Sequence, residues 1–111
     1  MIPNQVQPLI LEMVSRIVAG FDPEEIILFG SQARGEAGKD SDVDLAVIFS
    51  SLPGRHMDRA VEIHRCLHGM GISKDIIVLT RQDYEEQKPW VGTIGRIVAR
   101  DGKVLYKKAK S

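Results

Sequence analysis

Val6, Leu9, Ile10, Met13, Val14, Ile17, Val18 and Phe21 recur at three- and four-residue spacing, with Glu12, Ser15 and Arg16 opposite them. This is the stripe of an amphipathic helix. Pro8 is tolerated only in a first turn, so the helix starts near Gln5, and Gly20 with Asp22-Pro23 ends it. The period then changes. Residues 25–29 are apolar toward both faces, the pattern of a strand internal to a sheet. Residues 31–35 leave room for no more than a short helix, and Gly38-Lys39-Asp40 reads as a loop. Residues 43–49, rich in branched side chains, predict a second strand.

Beyond a connection containing Pro53, residues 56–70 are helical in pattern, with Ala60, Ile63, Leu67 and Met70 on one face and Gly69 and Gly71 closing the segment. Residues 75–79 predict a third strand. Thr80 with Asp83 resembles a capping pair that opens a short helix stopped by Pro89. Val91, Ile94, Ile97 and Val98 predict another helical stretch, weakened by Gly92 and Gly95. Asp101-Gly102 turns the chain into a last strand, Val104-Leu105-Tyr106. Helix, strand, strand, helix, strand, helix, strand specifies an α/β (α+β) unit with helices packed on a small mixed sheet. The expected division is one domain over residues 1–106 and a frayed basic tail over 107–111.

Composition narrows the class. Fifteen basic residues balance fifteen acidic ones, so no net field favours nucleic acid or an anionic membrane. The lone cysteine, Cys66, excludes an internal disulfide and suits a reducing compartment. No apolar run approaches a membrane span, and the expected location is the cytoplasm.

The candidate chemistry lies where the second strand begins. An apolar run stops at Gly30-Ser31, and acids then fall at Asp40, Asp42 and Asp44 against another apolar run. A P-loop fails, because Asp40 follows Gly38-Lys39 and Ala33 stands where the first glycine belongs. A calcium loop fails, because Leu45 and Ser51 replace its glycine and its bidentate glutamate. Alternation offers a third account. In an extended chain Asp42 and Asp44 project to one side, and a cation relieves their repulsion. Oxygen-only donors suit Mg²⁺, or Mn²⁺ as the alternative. At a strand end opening into a helical turn, the Gly30-Ser31 amides and the Ser31 hydroxyl can hold phosphate oxygens, with Gly30 allowing close backbone approach.

Gly30-Ser31, ten intervening residues and Asp42-Val43-Asp44-Leu45 resemble the signature of the DNA polymerase β-type nucleotidyltransferase superfamily. The fuller string Gly-Ser-Gln-Ala-Arg-Gly with Ser-Asp-Val-Asp-Leu resembles its smallest members, the minimal nucleotidyltransferases (MNT). The resemblance implies the polymerase β-type fold and a third carboxylate on a neighbouring strand. Asp75, opening Asp75-Ile76-Ile77-Val78-Leu79, takes that role. It also implies transfer of a nucleoside monophosphate, usually AMP from ATP, to an acceptor hydroxyl. Asp42 and Asp44 would hold two Mg²⁺ ions, Asp75 would ligate the second ion and orient or deprotonate the acceptor, and Ser31 would grip phosphates. Arg34 and Lys39 would neutralise developing charge.

Larger members carry a second helical domain that this sequence does not supply. In the minimal family the usual companion is a separate helical protein of the HEPN class, often a ribonuclease toxin, and the MNT protein is its antitoxin. The expected partners are therefore a nucleoside triphosphate and such a helical protein, modified on a tyrosine hydroxyl, with no membrane or direct nucleic-acid contact and with homo-oligomerisation left open. Two rival readings stand beside this one. One is transfer to a small molecule of the aminoglycoside type, and the other is a non-catalytic antitoxin that neutralises its partner by occlusion. His64 and His68 flank Cys66 on a helix, but Cys66 points away from them, so they read as surface histidines. Trp90, after Pro89, reads as an anchor packing a loop.

Overall fold

Strands β1 (Glu25–Phe29), β2 (Val43–Phe49), β3 (Lys74–Thr80) and β4 (Lys103–Lys107) form one sheet in the order β3-β2-β1-β4. The computed structural model describes residues 7–35 and 42–109. β1 runs antiparallel to both of its neighbours, and β2 and β3 are parallel. The directions follow from the connections. Antiparallel β1 and β2 need no crossover, whereas parallel strands do, and helix α3 (His56–Cys66) provides it between β2 and β3.

The sheet is covered on both faces, which explains why its central strands read as unbroken apolar runs. Val43, Leu45 and Val47 of β2, with Ile26 and Leu28, pack against Ile10, Met13 and Ile17 of α1 (Gln7–Phe21) and Ile63 of α3. Ala46 and Ile48, with Ile27 and Phe29, pack on the other face against Tyr84 of α4 (Arg81–Gln87) and Val98 of α5 (Ile94–Asp101). A five-residue helix, α2 (Gly30–Arg34), follows β1 directly. By the two-residue period, Asp44 and Asp75 share the face of Ala46 and Ile77. Among the described residues no helix is long and apolar enough to cross a membrane.

The element order matches the pattern reading, with differences at the ends. The predicted start of the first helix near Gln5 lies outside the described residues. α3 ends at Cys66 rather than Met70. Leu67 caps it, and Gly69 and Gly71 take positive φ, yet Leu67 remains fully buried and Met70 still packs on the core. Thr80 caps α4 as expected, its hydroxyl accepting from the Asp83 amide at 3.1 Å. α5 begins at Ile94 because Thr93 caps it, and this leaves Val91 outside. Gly95 is required there. A side chain at that position would collide with Gln87, whose Oε1 instead accepts from the Gly95 amide at 2.8 Å.

Two expectations are corrected. Trp90 does not pack the loop but stands 67% exposed, because Thr93 and Gln87 hold the turn together: the Thr93 hydroxyl donates to the carbonyls of Gln87 and Trp90. The basic tail does not fray from Lys107, which is paired in β4. Lys108 donates its amide to the Glu24 carbonyl and its ammonium to Asp22, both at 2.9 Å.

Candidate active site

β1 delivers the chain into Gly30, which adopts φ +75°, a conformation that glycine takes without strain. The turn brings the backbone hard against the side chain of Asp44, so that a Cβ on Gly30 would overlap the Asp44 carboxylate. Phe29 and Asp44 are register partners across β1 and β2, and Asp44 and Asp75 are partners across β2 and β3. Paired residues point to the same face of a sheet, so three adjacent strands gather Gly30, Asp44 and Asp75 at one place. Asp42, two residues before Asp44, is exposed at the entrance to β2.

Asp44 is half-buried, and its pKa is raised above the ordinary carboxylate value. Loss of water is the chief cause, followed by the charges of Asp75 and Asp42, while the Arg34 guanidinium pulls the other way. Asp44 therefore senses the charges of both Asp42 and Asp75. Arg34, closing α2, lies 3.7 Å from Asp101 at the end of α5. Asp101 was legible in the sequence only as a turn residue. It titrates below its usual range because Arg100 hydrogen-bonds it, with Arg34 adding to the effect. Its place beside Arg34 comes from the packing of α2 against α5. Lys39 and Asp40 lie outside the described residues.

The donor set fits a hard divalent cation. The candidate donors are carboxylates, and the repulsion at Asp44 is what a cation would relieve. Among the described residues no group of three or more His, Cys, Asp or Glu closes into a ready-made metal cage. That is compatible with Mg²⁺, which keeps several waters and is held by one or two carboxylates together with substrate phosphates. His64 and Cys66 of α3 serve otherwise: the His64 ring pairs with the Lys74 carbonyl at 3.2 Å, and Cys66 donates to the Arg16 carbonyl.

A mixed sheet with aspartates on adjacent strands beside a glycine-serine turn is the arrangement of a nucleotidyltransferase. The sequence profile of the nucleotidyltransferase domain family matches residues 9–101, and the chain belongs to that family. Forty residues are 60% identical to a protein of Methanocaldococcus jannaschii that bears the name protein adenylyltransferase, covering 36% of this chain and 27% of that one. Fifty-nine residues are 37% identical to protein adenylyltransferase MntA of Thermococcus cleftensis, covering 52% and 58%. The matches thus span less than two thirds of either relative. A nucleotidyltransferase structure from Sulfolobus solfataricus superposes with TM-score 0.69 at 25% identity, covering 94% of this chain and 82% of that one. A toxin–antitoxin complex solved with AMP-PNP shares the fold, with TM-score 0.55 at 20% identity and coverage of 87% and 73%.

Proposed function

We propose that the chain transfers AMP from ATP to a hydroxyl of a protein partner, in the presence of Mg²⁺, and so acts as the antitoxin of a helical HEPN-type toxin in the cytoplasm. The observation that carries this reading is the register of Asp44 with Asp75 beside the Gly30 turn. It provides a carboxylate set where an acceptor and a triphosphate can meet. The names of the relatives support the adenylyl class, and the AMP-PNP in one structural neighbour supports a triphosphate substrate.

In this reading Asp42, Asp44 and Asp75 would hold the Mg²⁺ ions. When bound, Mg²⁺ neutralises triphosphate charge and lowers the pKa of the attacking hydroxyl. Gly30 and Ser31 grip the β- and γ-phosphates, and Arg34 and Lys39 balance charge on them. Asp75 orients the acceptor hydroxyl and receives its proton. The acceptor oxygen bonds to the α-phosphorus, the bond from that phosphorus to the α,β-bridging oxygen breaks, and pyrophosphate leaves with the electron pair. Asp101 holds Arg34 in place.

The test is incubation with α-labelled ATP and Mg²⁺, with and without a co-encoded helical protein. Label on that protein, absent with Asp42→Ala/Asp44→Ala, is the expected result. Label on an aminoglycoside instead would establish the small-molecule reading. A tight complex with no label, unaffected by the double substitution, would establish occlusion.

A further inference from the structure

α3 and the outer edge of β3 enclose a groove of about 460 Å³ that the catalytic reading leaves unused, and Asp75 lies on its lining. Its wall is apolar. Met57 and Val61, one turn apart on α3, are 73% and 46% exposed, and Ile77 continues the surface onto the strand. Its floor is a free sheet edge, since among the described strands β3 pairs only with β2. Beyond the Lys74 carbonyl, which the His64 ring occupies, this edge presents main-chain N–H and C=O groups to an added strand, and the opposite edge, β4, is guarded by Lys103 and Lys107. His64 and Arg65 complete the wall, where Arg65 and Asp75 supply one charge of each sign.

We propose that this groove docks the acceptor as an extended polypeptide segment, apolar and acidic, that adds to the edge of β3 and directs a hydroxyl side chain to Asp75. The proposal rests on the transferase reading above. The open strand edge selects a polypeptide, since an aminoglycoside has no main chain to pair with it, and Arg65 favours a segment with an acidic residue. Continuity with Asp75 selects the acceptor over other ligands, because a hydroxyl presented at that end of the strand reaches the acid that receives its proton.

The experiment titrates ¹⁵N-labelled protein with a synthetic peptide, Glu-Glu-Leu-Tyr-Leu-Glu, and follows backbone amide shifts. AMP transfer to the same peptide from α-labelled ATP is measured in parallel. Saturable shifts confined to α3 and β3 are expected. Met57→Lys/Val61→Lys and, separately, Arg65→Glu should each weaken peptide binding about tenfold or more, with AMP-PNP affinity unchanged. Both variants alter exposed positions, and folding is checked by circular dichroism. Shifts elsewhere, unchanged affinity in both variants, an aminoglycoside that perturbs the groove, or a dimer formed across β3 would each overturn the proposal. Transfer to the peptide with the groove unperturbed would overturn the docking site alone. Groove binding without transfer would overturn the transferase reading and leave the docking site standing.

Discussion

Asp44 is held against two like charges while half withdrawn from water, and Gly30 is pressed against it. Asp44 opposes stability for the sake of the site, and Gly30 is the residue that fits beside it. Because its pKa is raised in the folded state, ionisation of Asp44 disfavours folding. The penalty is absent well below the ordinary value of 3.8, grows as the pH rises through the folded value and is complete at neutrality. Asp44→Asn should therefore raise the Tm at pH 7 by about 2–5 °C, and the gain should vanish as the pH approaches 3.8. The same variant should lose AMP transfer by about a hundredfold or more, measured with α-labelled ATP. Gly30→Ala should do harm on both counts. Its side chain would meet the Asp44 carboxylate at a positive φ, so urea denaturation should show a loss of about 2–4 kcal/mol.

Elements are joined by one guanidinium. Arg81, at the start of α4, pairs with Glu24 at 2.5 Å, with the buried Glu25 of β1 at 2.6 Å and with Glu85 at 3.1 Å. It thereby ties α4 to the strand that leads into Gly30. Arg81→Met would leave Glu25 charged and unpaired beneath the helix, at a cost of about 2–4 kcal/mol in urea denaturation. Arg81→Met/Glu25→Gln should recover at least half of that loss, which separates the unpaired charge from the lost packing. α5 depends on Gly95 in a different way. The glycine lowers helix propensity, and in return the helix meets Gln87 closely enough for its amide to be accepted by Oε1 at 2.8 Å.

At the scale of the molecule, a rigid sheet covered on both faces carries a site at one end of its central strands. Anything that binds this end only when folded stabilises the whole domain. With ATP at a hundred times its dissociation constant, the midpoint of urea denaturation should shift by the equivalent of about 2–3 kcal/mol when Mg²⁺ is present. EDTA should abolish most of that shift, and Asp42→Ala/Asp44→Ala should abolish it without unfolding the protein. The shift is read by far-ultraviolet circular dichroism.

Periodicity alone determined most of the frame. The helix over Gln7–Phe21, both central strands, the capped helix after Thr80 and the closing strand were legible because burial on one face or two imposes a spacing on the residues themselves. The Gly30-Ser31 and Asp42-Asp44 pair was legible for the opposite reason, since acids against apolar strands violate the pattern around them. Tertiary structure alone decided the rest. The register that sets Asp44 beside Asp75, thirty-one residues later, depends on how the α3 crossover docks β3 on β2. The Glu25 carboxylate, hidden in an apparently apolar strand, is tolerated because Arg81 reaches it from fifty-six residues away. Asp101 meets Arg34 through packing between helices that no local spacing encodes. Local order follows from which residues must be buried, whereas partners across the fold follow from where the buried surfaces finally meet.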